Sequence, residues 1–206
     1  MTKPVIIGLV GGVACGKSTV AREFERRGAA LIDADAVGHE ALANRAVKKQ
    51  VVEHFGAGVL DATGNVDRKL LGERVFGKPA ELKALTDMTH PWIREQIRLR
   101  LDGLRKRKDL AAVVLDISLL LESGAYDDLV DALLFIDATQ EIRARRAADK
   151  RGWKHEDVGV REAHQMPLEQ KRARADFVLD NNGDEATLAP QIQQFWERFV
   201  LINDQQ

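Results

Sequence analysis

The stretch VIIGLVGGVACGKST, residues 5–19, is the part of the sequence that says most about the fold. It begins with the nearly continuous apolar run Val5–Val10, which predicts a strand buried on both faces. The apolar spacing of KSTVAREFERR at 17–27 predicts a helix that ends at Gly28, and AALID at 29–33 predicts a second strand. A strand, a glycine-rich loop, a helix and a strand, in this order, are typical of the beginning of a parallel α/β fold.

The glycine-rich segment has the spacing of a phosphate-binding loop. Gly11, Gly16, Lys17 and Ser18 match G-x-x-x-x-G-K-[ST], and a predicted strand and helix flank them as the motif requires. Glycines let backbone N–H groups approach phosphate oxygens, and the positive end of the following helix favours an anion. Lys17 can reach the β- and γ-phosphates, and the Ser18 hydroxyl is a suitable Mg²⁺ ligand. The loop therefore predicts a nucleoside triphosphate site with Mg²⁺.

The composition argues against some functional classes, such as nucleic-acid-binding and membrane proteins. The chain has 206 residues, 45% hydrophobic and 31% charged, which is typical of one globular domain with insertions. A net charge of −1 gives no overall basic field for nucleic acid or an anionic membrane. Cys15 is the single cysteine, and the chain has no apolar run of membrane-spanning length. We expect a cytoplasmic protein that binds neither nucleic acid nor membrane.

Three more apolar segments alternate with charged helical stretches. AAVVLDI at 111–117 and ALLFIDA at 132–138 predict buried strands, and FVLDNNG at 177–183 predicts a strand ending in a turn. A C-terminal helix at about 185–200 has an apolar face of Leu188, Ile192, Phe195, Trp196 and Phe199. The predicted parts are a core of residues 1–37, 110–139 and 175–206, a helical insertion at 38–109 and a basic helical segment at 140–174.

Carboxylates follow two of the predicted strands. Asp33 and Asp35 end the second strand, and Asp116 ends the third. The carboxyl ends of parallel strands line the ligand crevice, so these groups are expected on the same edge as the phosphate loop. A carboxylate there can accept a proton from an attacking hydroxyl or orient it. Helix capping is the competing explanation; it stays open for Asp35, whereas function is favoured for Asp33 and Asp116.

The segment 140–174 is rich in basic residues. Such a run is usually a solvated helix face. Beside a phosphate site it can instead form a lid that neutralises charge and excludes water during phosphoryl transfer. We expect one to three of its basic residues to contact phosphate, among Arg143, Arg145, Arg146, Lys150, Arg151, Arg161, Lys171, Arg172 and Arg174.

Other nucleotide-binding classes fit less well. A guanine-nucleotide switch needs N-K-x-D, but no Asn in this chain precedes a Lys. DATG at 61–64 resembles D-x-x-G of such switches but is predicted to be a polar turn. An ATP-dependent small-molecule kinase is favoured. Another kinase, of nucleoside monophosphate or shikimate type, and a nucleotide-regulated binding protein without transferase activity stay open.

Taken together, the motifs resemble the dephospho-coenzyme A kinase family over nearly the whole chain. The matching pieces, in order, are GLVGGVACGKSTVA at 8–21, LIDAD at 31–35, HPWIR at 90–94, DISLLLESG at 116–124, Arg146, REAHQMPLEQK at 161–171 and ADFVLDNNG at 175–183. The resemblance implies a P-loop kinase fold of three αβα layers, with a parallel five-stranded sheet, a helical substrate-binding insertion and a lid. It also implies transfer of the ATP γ-phosphate to the ribose 3′-hydroxyl of dephospho-CoA, in a monomer or weak homo-oligomer.

The resemblance also implies roles for individual residues. Asp33 matches the proposed base, and Lys17 and Arg146 match groups that neutralise the transferring phosphoryl group. Asn182 and Gly183 lie where related kinases hold adenine. The ATP loop corresponds to Gly12, Val13, Ala14, Cys15, Gly16, Lys17, Ser18 and Thr19, with Ser18 on Mg²⁺. The acceptor pocket corresponds to Asp33, Asp35, His90, Arg94, Asp116, Leu120, Glu122 and Arg161.

The chain departs from the family pattern at four positions. Ala14 and Cys15 replace the usual Gly and Ser, so residue 14 must avoid positive φ or carry strain. Ser118 replaces a usual proline, and Lys150 replaces a frequent arginine. Lysine loses bidentate phosphate contact, which Arg151 could replace.

Overall fold

The structure is a computed structural model that describes residues 3–163 and 165–202. The chain divides into two compact units. Residues up to 33 and from 101 onward form the first unit, and residues 34–100 form the second. The first unit contains the sheet, and the second is mainly helical.

The first unit is built on a parallel five-stranded sheet in the order β2-β3-β1-β4-β5. Its strands are β1 (Val5–Gly11), β2 (Ala30–Asp33), β3 (Ala112–Asp116), β4 (Ala132–Asp137) and β5 (Phe177–Asp180). Every strand predicted from the sequence is present, and the predicted parallel α/β class is confirmed.

Helices connect the strands and form the second unit. In chain order they are α1 (Lys17–Arg26), α2 (Ala34–Ala43), α3 (Arg45–Phe55), α4 (Arg68–Val75), α5 (Pro79–Leu104), α6 (Leu120–Ser123), α7 (Gln140–Arg151), α8 (His155–Glu162), α9 (Leu168–Arg174) and α10 (Glu185–Phe195). A 3₁₀ turn lies at Ala57–Val59, and a π-helical segment at Trp196–Leu201 continues α10.

β1 is the central strand of the sheet, and this position explains its composition. It pairs with β3 on one side and β4 on the other, and all seven of its residues are buried. A strand covered on both faces has to be apolar at successive positions. The chain reaches β2 and β3 on one side of β1 and β4 and β5 on the other, so the carboxyl end of β1 faces a ligand crevice of the kind found in doubly wound sheets.

Aromatic side chains join α1 to the C-terminal helix. The ring of Phe24 lies 5.7 Å from that of Phe195 and 5.9 Å from that of Trp196, measured between centroids. Leu188 and Ile192 belong to the same buried cluster, and Phe199 packs against it. The predicted apolar face of the C-terminal helix is confirmed.

The second unit has a small core of its own. Val47 and Val51 from α3 pack with Val59 and with Leu71 and Val75 from α4. The DATG segment forms a polar turn in this unit, as predicted. The Asp61 carboxylate accepts hydrogen bonds from the backbone N–H groups of Thr63 (2.8 Å) and Asn65 (3.0 Å). In the described ranges, every helix is too short or too polar to cross a bilayer.

Phe24 provides a test of the core. It is fully buried between α1 and the C-terminal helix, so Phe24→Ala should lower the free energy of unfolding by about 3–5 kcal/mol. Phe76→Ala is the matched control, because that side chain is 76% exposed and its loss should change stability by less than about 0.5 kcal/mol. Urea unfolding followed by circular dichroism measures both. Equal effects of the two substitutions would contradict the assignment of Phe24 to the core.

Candidate active site

The phosphate loop leaves β1 at Gly11 and turns sharply before α1. Gly11 has φ 152° and Gly16 has φ 104°, where an L side chain is strained. Ala14, at φ 61°, is the non-glycine residue with positive φ among residues 3–163 and 165–202. Of the two possibilities for Ala14, the structure therefore shows the strained one. A left-handed alanine costs about 1–2 kcal/mol, which the surrounding fold has to offset.

The loop ends at the N-terminus of α1. The N-cap residue is Gly16, which has no side chain to cap the first turn, and no acidic residue lies in that turn. The exposed Ser18 hydroxyl belongs to the same turn. The Lys17 ammonium lies 3.5 Å from the Gly12 carbonyl, so the lysine is folded back along the loop. This arrangement gives an anion a helix N-terminus, a cation and a hydroxyl together.

Two side chains from beyond β4 bind the backbone of the loop. The Asn181 amide donates to the Cys15 carbonyl at 2.7 Å, and Arg146 donates to the same carbonyl at 3.3 Å. Arg146 also donates to the Asn181 side-chain oxygen and to the Gly183 carbonyl, both at 3.4 Å. A Cβ on Gly16 would collide with the Asn181 amide, so the close approach requires glycine there.

Asn181 is a residue that sequence reasoning missed. The family resemblance implies that Asn182 lies near the adenine, whereas buried Asn181 is the residue that contacts the loop. Asn182 accepts a hydrogen bond from the Thr139 N–H at 2.7 Å and donates to Asp180 at 2.7 Å, so it fixes the connection between β4 and α7. The available signal was the pair of adjacent asparagines at a strand end, where successive residues face opposite directions.

The strand ends bring two predicted carboxylates together. Asp33 ends β2 and Asp116 ends β3, and the two are direct register partners. Asp116 is also in register with Leu9 of β1, two residues before the loop begins at Gly11. Asp33 is exposed and Asp116 half-buried. The two carboxylates therefore lie at the carboxyl edge of the sheet, one and two strands from the strand that carries the phosphate loop.

Three predicted acceptor residues belong to the second unit. Asp35 lies in the first turn of α2, and His90 and Arg94 are one turn apart in α5. Burial lowers the pKa of His90, the nearby Arg94 charge lowers it further, and Asp87 opposes the change. Burial and the Arg94 charge thus both favour the neutral form of the His90 imidazole.

A small pocket lies where the carboxyl end of β1 meets α6. Its lining includes Leu120 and Glu122, which were predicted, together with Lys17, Ser118 and Lys171. Ser118 is thus at the wall of this pocket, where the family pattern has proline. Lys171 was part of the basic segment but had no individual role in the sequence analysis. Its burial in the pocket wall could not be inferred from a segment in which most neighbours are exposed.

Lys171 and Glu122 form a buried ion pair beside Lys17. The Lys171 ammonium lies 2.9 Å from the Glu122 carboxylate and donates to Gln165 at 2.9 Å. Glu122 also accepts the Met166 N–H at 2.8 Å. Burial alone would raise the pKa of Glu122, but the hydrogen bonds from Lys171 and from Met166 outweigh it, so the pKa is lowered. This ion pair links α9 to α6.

The other predicted basic residues lie on α7, α8 and α9. The Arg161 guanidinium lies over the Trp153 ring, 4.0 Å from its centroid, a cation–π contact that anchors α8 to the end of α7. Lys150 is exposed. The side chain of Arg151 and all of His164, which lies in one matching segment, are outside the described part of the chain.

The Glu122–Lys171 pair predicts a pH dependence. Because the pKa of Glu122 is lowered on folding, its carboxylate stabilises the protein at neutral pH, and this stabilisation is lost as pH falls below its ordinary value of 4.5. Glu122→Gln should lower the free energy of unfolding at pH 7 by about 2 kcal/mol, because buried Lys171 loses its counter-ion. The difference from the unsubstituted protein should shrink between about pH 5 and pH 3.

Urea unfolding across this pH range measures the effect. Glu25→Gln, an exposed position on α1, serves as the control and should give a curve parallel to that of the unsubstituted protein. A Glu122→Gln difference that stayed constant on acidification would show that the pair contributes no charge-dependent stability.

Comparison with known proteins places this geometry in a family. A family model described as dephospho-CoA kinase matches residues 5–187. The dephospho-CoA kinase of Corynebacterium diphtheriae is 42% identical over 95% of this chain and 97% of its own. A crystal structure from Thermus thermophilus, TT1252, is 34% identical, with TM-score 0.78 over 96% of this chain and 99% of that one.

A further solved structure carries the same family name. The dephospho-CoA kinase of Campylobacter jejuni is 25% identical, with TM-score 0.70 over 95% of this chain and 97% of that one. The sequence match and the structural match both extend over nearly the whole chain, so they include the phosphate loop, the paired carboxylates and the helical second unit. The chain belongs to the dephospho-CoA kinase family.

Proposed function

We propose that this protein transfers the γ-phosphate of ATP to the ribose 3′-hydroxyl of dephospho-CoA, giving coenzyme A and ADP. The observation that carries the proposal is the register pair Asp33–Asp116 at the sheet edge next to the phosphate loop. A phosphate loop alone supports many reactions, but carboxylates beside it suit activation of a hydroxyl. The named relatives, which match almost the full chain, support dephospho-CoA as the acceptor.

The proposed chemistry is an in-line displacement at phosphorus. The 3′-oxygen of the acceptor forms a bond to the γ-phosphorus, and the bond from that phosphorus to the β–γ bridging oxygen breaks, which releases ADP. Asp33 orients the hydroxyl and accepts its proton, which then passes to solvent. Lys17 and Arg146 stabilise the charge on the phosphate oxygens, so catalysis rests on positioning and electrostatics.

The loop residues fit ATP and Mg²⁺. Between Gly12 and Thr19 the backbone passes through Gly12, where neighbouring side chains approach closely, and through Ala14 and Gly16, which have positive φ. It then reaches the start of α1, which no side chain caps. A phosphate cradle requires such curvature. The exposed Ser18 hydroxyl in that first turn is the proposed Mg²⁺ ligand. The ion, when bound, neutralises part of the charge of the β- and γ-phosphates. Asn182 and Gly183 are proposed to face the adenine.

The remaining assignments complete the proposal. The insertion at 38–109 is proposed to bind the acceptor, and the segment 140–174 to act as the lid over a core of 1–37, 110–139 and 175–206. The proposed acceptor residues are Asp33, Asp35, His90, Arg94, Asp116, Leu120, Glu122 and Arg161. The protein is proposed to act in the cytoplasm as a monomer or weak homo-oligomer, without nucleic acid or membrane partners; a lone, buried Cys15 suits a reducing compartment.

An acceptor panel tests the proposal. The purified protein is incubated with Mg-ATP and one of dephospho-CoA, adenosine monophosphate, cytidine monophosphate or shikimate, and ADP release is followed by a coupled assay. We expect turnover with dephospho-CoA and little with the others. Turnover with a nucleotide and none with dephospho-CoA would show another small-molecule kinase. ADP binding without phosphorylation of any acceptor would favour a nucleotide-regulated binding protein.

Two substitutions separate phosphate binding from hydroxyl activation. Lys17→Ala should lower kcat at least about 100-fold, because it removes a cation from the transferring phosphate. Asp33→Asn should lower kcat by about 10²–10⁴-fold and leave ATP affinity nearly unchanged, since it removes only the proton acceptor.

Matched controls are available on exposed surface. Lys106→Ala and Asp102→Asn change the same residue types at exposed positions and should retain full activity. Steady-state kinetics with varied ATP, together with calorimetric titration of ADP, measure both parameters. Full activity in Asp33→Asn would remove that carboxylate from the mechanism.

A further inference from the structure

The phosphate loop has a contact that the proposed chemistry does not use. The backbone N–H of Val13 donates a hydrogen bond of 2.8 Å to the carboxylate of Glu162. Glu162 is the last residue of α8, and 149 positions separate the two residues in the chain. A donor in the middle of the loop is thus bonded to protein from outside the loop.

Arg143 holds the carboxylate in place. Its guanidinium forms an ion pair and hydrogen bond with Glu162, and its Nε donates to the Ala138 carbonyl at 3.1 Å. The side chain of Arg143 is 5% exposed and that of Glu162 20% exposed. A charged group in such surroundings requires its partner, so Glu162 has little freedom to leave. The two charges cancel, so the pair adds no net charge beside the phosphate site.

Gly12 makes this junction possible. A Cβ at residue 12 would lie 2.6 Å from the Arg143 Nη1 and 2.7 Å from the Glu162 Oε1, both well inside normal contact distance. A side chain at residue 12 would therefore displace the Arg143–Glu162 pair. The loop, α7 and the end of α8 meet at one point, where each of them is in contact with the other two.

The position of Val13 within the loop gives the contact its significance. Val13 directly precedes Ala14, whose φ of 61° is strained for a residue with a Cβ. A strained conformation persists only when neighbouring contacts fix it. A charge-assisted hydrogen bond on the preceding residue is such a contact, and hydrogen bonds to charged groups contribute about 1.5–3 kcal/mol.

We infer that Glu162 is a positioning residue of the phosphate loop. It fixes the Val13 N–H, and with it the loop curvature that nucleotide binding needs, while Arg143 holds Glu162. The inference rests on the proposed function only in that the loop binds the phosphates of a nucleotide. The inference does not depend on which acceptor is phosphorylated. A nucleotide that binds without an acceptor therefore serves as the probe.

Three variants separate the hydrogen bond from the ion pair. Glu162→Gln keeps an oxygen acceptor for Val13 but leaves Arg143 without a counter-ion. The double variant Arg143→Leu/Glu162→Leu removes both charges and the acceptor together. Glu162→Leu alone removes the acceptor and leaves Arg143 uncompensated. Glu73→Leu, an exposed position on α4, is the control.

The readouts are Mg-ADP affinity by calorimetric titration and the midpoint of thermal unfolding. Glu162→Gln should have a lower unfolding midpoint but bind Mg-ADP within about threefold of the unsubstituted protein, because the bond to Val13 is retained. The double variant should unfold at a midpoint close to that of the unsubstituted protein. It should bind Mg-ADP about tenfold more weakly, a loss of about 1.4 kcal/mol. Glu162→Leu should be impaired in both.

Other patterns overturn the inference. Unchanged Mg-ADP affinity in the double variant would show that the junction is only structural. Tighter binding in Glu162→Leu would show that the carboxylate competes with phosphate for the Val13 N–H. Failure of the acceptor panel with intact, Glu162-dependent Mg-ADP binding would overturn the proposed reaction and leave this inference standing.

Discussion

A backbone loop that binds phosphate keeps its curvature only when contacts from elsewhere in the chain fix it. Here the loop is held at two points. Asn181 and Arg146 bind the Cys15 carbonyl, and Glu162 binds the Val13 N–H. Between these two points lies Ala14, the strained residue. The loop therefore depends on segments that come more than a hundred residues later in the chain.

The strand order places acidic side chains on one side of β1 and basic side chains on the other. β1, which leads into the loop, has β3 and then β2 on one side and β4 and then β5 on the other. The first side ends in the carboxylates Asp33 and Asp116, and the second leads through β4 into α7 with Arg143 and Arg146. The groups that we propose for hydroxyl activation and for phosphate neutralisation thus belong to opposite sides of one strand. A parallel sheet permits this because all its strands end on the same edge.

Buried ion pairs join the helices of the segment 140–174 to one another and to α6. Arg143–Glu162 lies against the phosphate loop, and Lys171–Glu122 lies in the pocket wall beside Lys17. Such pairs add little to stability compared with apolar packing, but each one fixes where its partner segment lies. They also pair these basic residues with carboxylates, so Lys17 and Arg146 remain the cations that we propose to act on phosphate.

The sequence alone predicts the strands, the phosphate loop, the polar turn at Asp61 and the carboxylates at strand ends, because hydrophobic period, glycine spacing and residue order are local properties. It could not determine which basic side chains are buried, which of Asn181 and Asn182 faces the loop, or that Glu162 meets Val13. Those facts depend on how helices pack across the sheet, and packing is decided by contacts between residues distant in the chain. The tertiary structure alone brings them together.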